Sequence, residues 1–165
     1  MFGGKRSFHL ASILRRFTLC EVTLGYVHLT PGGSRPSAVP GPFRAVLIAD
    51  QSVSADWRHE IAAWLVDNGC LYFMAWGIDC QAWHDSVDWA VLEDFDFGDI
   101  PDDRFVMTTW HDKEPLTEAL WFAGNCATHP DVELDTTLLV HVAAEAASAR
   151  IMETFSLSQV LPSEG

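Results

Sequence analysis

The sequence predicts an α/β fold: a small three-layer, doubly wound, mostly parallel four-stranded sheet of the Rossmann-like or flavodoxin-like kind. Three observations predict it. Four short runs are apolar without strict alternation, which is how strands buried on both faces read. Segments with apolar residues at helical spacing separate them, and alternating strands and helices imply a parallel sheet covered by helices. Glycine, proline and capping residues fall at the junctions.

The first strand is expected at residues 44–49, directly after a tract with prolines at 31, 36, 40 and 42. Four prolines in twelve residues prevent helix and disfavour a central strand. Ser54 then offers an N-cap, and Trp57, Ile61, Trp64 and Leu65 follow at helical spacing up to Gly69, where a left-handed residue is wanted. The second strand is residues 70–76, stopped by Gly77. Asp79 is placed to cap a second helix, with Trp83, Val87, Ala90 and Val91 on one face. Residues 93–103 hold six acids with Gly98 and Pro101 and read as a solvated loop. The third strand is residues 105–110, and Pro115 suits the first turn of a helix that buries Leu116, Ala119, Leu120 and Ala123. Residues 136–142 make the fourth strand and 143–155 an Ala-rich last helix. Right-handed crossovers favour the strand order 2-1-3-4, counted along these four.

Charge divides the chain in two. Residues 1–42 carry five bases (Lys5, Arg6, Arg15, Arg16 and Arg35) against Glu21, a net of +4, and are expected to be a disordered leader and linker. Residues 43–165 carry five bases against 22 acids, a net of −17, and form the expected folded domain. A surface of that sign repels phosphate backbones and anionic membranes, so no nucleic-acid or membrane partner is expected. A basic partner protein fits it. No run of ~20 apolar residues offers a membrane span. The four cysteines show no CxxC pairing, so free thiols in a reducing, cytoplasmic compartment are expected.

In open parallel sheets, ligands bind beyond the carboxyl ends of the strands. That rule selects Asp50 after the first strand, Trp76, Asp79 and Cys80 after the second, Trp110, His111 and Asp112 at the third, and His141 in the fourth. The first crossover loop has no glycine to let backbone approach a phosphate, and there is no P-loop and no G-x-S-x-G turn. Lys113 is the one lysine after residue 42. No cofactor is therefore assigned.

Cys80 is the sharpest candidate. In the first turn of a helix, a thiolate is favoured by the dipole, and His84 four residues on is placed to take the proton. Asp79 and Asp85 oppose this, and a half-buried packing cysteine is the plainer reading. Metal-binding types occur as His111, Asp112, His129 and Glu133, or as Asp50 and Asp79 with His111. None has a diagnostic spacing, so no metal is assigned. Trp57, Trp64, Trp83 and Trp121 read as packing residues, while Trp76 and Trp110 could floor a crevice or plug the sheet edge.

The strings Gly69-Cys70-Leu71-Tyr72-Phe73-Met74-Ala75-Trp76-Gly77-Ile78-Asp79-Cys80 and Phe105-Val106-Met107-Thr108-Thr109-Trp110-His111 resemble an uncharacterised family of short bacterial proteins, a domain of unknown function. The resemblance spans roughly residues 43–155. It implies a bacterial source and supplies no activity.

Two readings stay open. The first, preferred because no motif has catalytic spacing, is an acidic interaction module for a basic partner. The second is an enzyme or ligand-binding protein using the strand-end crevice. Cys80, His84, His111 and Asp50 would then be catalytic, in thiol- or metal-assisted hydrolysis, and Asp79, Trp76 and Trp110 would touch the ligand. That reading requires Asp50, Cys80, His84 and His111 within mutual reach.

Overall fold

The computed structural model describes residues 14–16 and 23–160. Its strands are β1 (Leu14–Arg16), β2 (Thr23–Leu29), β3 (Phe43–Ala49), β4 (Cys70–Gly77), β5 (Met107–His111) and β6 (Thr136–Val142). The helices are α1 (Ala55–Asp67), α2 (Cys80–Asp94), α3 (Leu116–Asn125) and α4 (Ser148–Val160). The α/β class holds, with five parallel strands and β1 antiparallel at one edge.

Local signals act where the sequence places them. Ser54 caps α1 by accepting the Trp57 N–H at 3.2 Å, and Gly69 ends the following turn at φ 94°. All seven residues of β3 are buried, as its continuous apolar run demands. The last helix begins later than expected, at Ser148, because residues 143–147 form a turn whose Ala147 N–H is held by the Tyr26 hydroxyl at 3.0 Å.

The sheet order is β1-β2-β6-β3-β4-β5, which corrects the expected order. Counted over the four anticipated strands it is 4-1-2-3. β4 and β5 add successively on one side of β3, and the chain then returns to lay β6 on the other side. The error has a physical source. Runs apolar on both faces carry no information on which neighbour a strand takes. β5, with Thr108 and Thr109 at its centre, is only partly buried along most of its length and forms the edge.

A second correction concerns the leader. Residues 23–29 are not disordered: β2 pairs in parallel with β6 over its whole length and buries Leu24, Tyr26, Val27 and Leu29. The proline tract after it is tied down, by Trp57 Nε1–H donating to the Gly33 carbonyl at 2.8 Å and by the Val39 N–H on Asn68 Oδ1 at 2.9 Å. The boundary expected at residue 43 thus falls inside one sheet. The basic residues Lys5 and Arg6 lie outside the described residues.

Two cores cover the sheet. One face packs against α1 and α2 through Phe43, Leu47, Ile61, Phe73, Trp83 and Val87. Trp57 and Trp83 meet edge-to-face at 6.2 Å there. The other face packs against α3 and α4 through Val46, Ile48, Met74, Leu120, Leu139 and Ile151. On that second face Arg44 is buried, its guanidinium donating to the carbonyls of Ala123 at 3.1 Å and Leu134 at 2.6 Å. It ties the end of α3 and the segment before β6 to the sheet.

Candidate functional site

Where β3 and β6 lie side by side, the connections leave in opposite directions. That makes the gap beyond their carboxyl ends the topological switch point, where open α/β sheets bind ligands. Asp50, the first residue past β3, sits there. Its backbone N–H bonds to the Val142 carbonyl at 2.9 Å, so the end of β6 fixes its position. Its side chain turns to the α3/α4 face, following the alternation of Arg44, Val46 and Ile48.

On that face His141 of β6 is 1% exposed, and its Nε2 lies 2.6 Å from Asp50 Oδ2. The other ring nitrogen, Nδ1, lies 2.8 Å from the Tyr26 hydroxyl. That hydroxyl accepts the Ala147 N–H, so its own proton is free to go to Nδ1. The bonding is then consistent with a neutral imidazole whose Nε2–H donates to the carboxylate. Burial holds the Tyr26 phenol above its ordinary pKa, which keeps it a donor. Three strands therefore supply one chain: Tyr26 from β2, His141 from β6 and Asp50 from the end of β3. The buried imidazole and phenol fix a carboxylate that is itself 42% exposed.

Beside Asp50 lies a cleft of about 390 Å³, lined by Asp50, Trp76, Gly77, Ile78, His111, Asp112 and Glu114 with Ala49. Its wall is braced. His111 Nδ1 lies 2.7 Å from Glu114 Oε1, Nε2 lies 3.0 Å from Thr109 Oγ1, and Trp76 Nε1–H donates to the Glu114 carbonyl at 2.9 Å. Both nitrogens of His111 are thus engaged. Gly77, at φ 99°, lets β4 close on β3: a Cβ there would collide with the Ala49 carbonyl oxygen. The lining holds three carboxylates and no lysine or arginine.

Of the residues selected from the sequence, Asp50, Trp76, His111 and Asp112 converge on this cleft. The expected grouping with Cys80 and His84 does not form. Side chains alternate along β5, so His111 faces α3 while Thr108 and Trp110 face α2. His84 is on that α2 side, 3.1 Å from Thr108 Oγ1 and edge-on to Trp110 at 4.7 Å. The sheet separates it from His111. Trp76 and Trp110 lie on opposite faces for the same reason and cannot floor one crevice.

Cys80 starts α2 but is buried in the α1/α2 core, and burial, reinforced by the Asp112 carboxylate, pushes its thiol pKa up. That is the reverse of an activated thiolate. Asp79 holds the N-cap position in a left-handed conformation at φ 55° and makes no side-chain cap; it accepts from Ser52 Oγ at 2.9 Å instead. The histidines of the first metal set part company as well. His129 Nε2 lies 2.8 Å from the Phe105 carbonyl, before β5 begins, whereas His111 ends that strand. Among the described residues no three His, Cys, Asp or Glu side chains are grouped as metal ligands.

Tyr26 and Glu114 were not anticipated in the site. Glu114 had a local signal, three residues beyond His111 in a turn. Tyr26 had none, because the proline tract separates it from the domain in sequence and only the sheet brings it back.

A family model described as "Domain of unknown function (DUF7684)" matches residues 24–157. No curated protein matches the chain. A solved structure described as "Crystal structure of an hypothetical protein" is similar at 10% identity, covering 77% of this chain and 76% of that one, with a TM-score of 0.41.

Proposed function

The chain belongs to the family described as a domain of unknown function, DUF7684, and we propose that it binds a small neutral or cationic organic molecule at the switch-point cleft, where Asp50 accepts a hydrogen bond or a proton from it. The observation that carries this reading is the 2.6 Å bond between the buried His141 and the half-exposed Asp50. Buried imidazoles cost desolvation and must be partnered. Here the partner could have been a backbone carbonyl in the core, as His129 has. Instead the bond runs outward to a carboxylate at the cleft. His141 occupies Oδ2 and leaves Oδ1 to a ligand.

The ligand class follows from the lining. Asp50, Asp112 and Glu114 repel phosphates and carboxylates, and Trp76 offers an apolar wall to a flat or hydrocarbon portion. As a proton acceptor, Asp50 suits activation of a substrate O–H or N–H, or of water held by such a substrate. In that step the His141 N–H and Tyr26 O–H stay where they are and hold the carboxylate still. The free buried thiols of Cys70 and Cys80 accord with a reducing compartment and support a cytoplasmic location.

Asp50→Asn is the informative variant, because its amide oxygen still accepts the His141 N–H while the charge is lost. In a thermal-shift screen of neutral, amine and carboxylate fragments, amines and neutral donors should raise the Tm of the wild type. Asp50→Asn should weaken them ~10–100-fold, as loss of a charged hydrogen bond worth ~1.5–3 kcal/mol predicts. Preference for carboxylate fragments, or equal affinity of the variant, would contradict the reading.

A further inference from the structure

The edge of the sheet farthest from β1 has features the cleft does not use. β5 pairs with β4 alone, and its residues 107–110 make no backbone hydrogen bond beyond that ladder among the described residues. An open strand edge is a template for another strand, and proteins ordinarily blunt it with lysine, proline or a covering loop. β5 has no lysine or proline. Beside it runs a groove of about 430 Å³ between the strand and α2, lined by Val91, Leu92, Ile100, Phe105 and Met107 with Asp88.

Exposed aromatic side chains also lie on the solvent side of α2 and in the turn after it. Trp89 and Phe97 are 51% and 59% exposed and meet edge-to-face at 5.3 Å. Residues 88–103 are dense in acids, with Asp88, Glu93, Asp94, Asp96, Asp99, Asp102 and Asp103. Arg104 lies over the Phe95 ring and reaches Asp94 at 3.5 Å, His59 lies 3.0 Å from Glu93 and His84 3.5 Å from Asp88, which leaves the acids of residues 96–103 for a partner.

We propose that the free edge of β5 and its groove against α2 form a docking strip for an extended basic segment of a partner protein. The segment adds as a strand, with alternate apolar side chains in the groove and lysines or arginines flanking the paired stretch, beside the acids of residues 93–103 that precede β5. Charge decides the occupant. A second copy of this chain would bring the same acids edge to edge, and a nucleic acid would bring phosphates, so both are repelled. A basic peptide gains on every count: backbone pairing, apolar burial and charge.

The test uses the full-length protein and a blocked peptide of alternating valine and threonine with three lysines at each end, followed by amide NMR. Perturbations should concentrate at residues 105–110 and at Val91 and Leu92. A glutamate-for-lysine peptide should bind at least tenfold more weakly. Leu92→Asp adds a charge that favours the peptide yet removes groove surface, so it should weaken binding about fivefold if the groove holds side chains. Perturbations elsewhere, or tighter binding by Leu92→Asp, would overturn the proposal, as would a dimer of the free chain that buries β5.

Discussion

The two faces of the sheet are built from different materials. Against α1 and α2 the core is hydrocarbon and indole: Phe43, Leu47, Ile61, Phe73 and Trp83, with no buried charged side chain. Against α3 and α4 the same strands carry Arg44, Thr137, His111 and His141 among their buried residues. Burying polar groups contributes less to stability than burying methylenes and is costly where a partner is missing. The Arg44 Nε and Thr137 Oγ1 atoms indeed lack partners. The comparison teaches a division of labour, in which one face supplies stability and the other gives up some of it to place groups at the strand ends. The α1/α2 face has its own blemish, the unpartnered Trp64 indole N–H.

The largest expected effect breaks the α1/α2 face. Trp83 is fully buried, and Trp83→Ala should cost ~3–5 kcal/mol, read by urea unfolding, with the cleft otherwise intact in the folded fraction. A loss below ~1 kcal/mol would remove the claim that this face carries the stability.

Next comes alkali. Burial pushes the Cys70 thiol up to about 12, chiefly by desolvation. A folded pKa raised above the unfolded value contributes stability that is full below about pH 9 and is lost as pH rises toward 12. Tyr26 and Tyr72 are shifted in the same direction. Stability should therefore decline above about pH 9, and Cys70→Ala should flatten the steepest part of that decline. An identical pH profile in the variant would contradict it.

Smaller effects belong to the polar face. His141→Leu fills the space but strips Asp50 and Tyr26 of their partner, and should cost ~1–2 kcal/mol while abolishing fragment binding at the cleft. Smallest in stability is Asp50→Asn, within ~0.5 kcal/mol because the side chain is half exposed. Separately, iodoacetamide near pH 8 should label the exposed Cys126 well before Cys70 or Cys80. Rapid labelling of Cys80 would revive a thiol mechanism.

Much of this division was legible in the sequence. The caps at Ser54 and Gly69, the helical spacing of Trp57, Ile61, Trp64 and Leu65, and the unbroken run at β3 are local signals, and each acts locally. The selection of Asp50, Trp76 and His111 followed from a rule about strand ends that holds for parallel sheets of any order. Strand order was not legible, because which strand neighbours β3 is decided by helix packing between residues far apart. The face on which a residue lands was legible only in parity along one strand. His84 and His111 sit on different elements, so their separation by the sheet needed the register of β5 against α2. Tyr26 was hidden by the proline tract, whose composition resembles a disordered linker while its backbone is held by Trp57 and Asn68.

The central claim is that a buried imidazole holds the Asp50 carboxylate at the cleft, and long-range ¹H–¹⁵N NMR of the His141 ring tests it most directly. The account predicts a neutral ring protonated at Nε2 and accepting at Nδ1, with the Nε2 signal displaced in Asp50→Ala and nearly retained in Asp50→Asn. A ring protonated at Nδ1 alone, or one whose spectrum is indifferent to Asp50→Ala, would contradict the account.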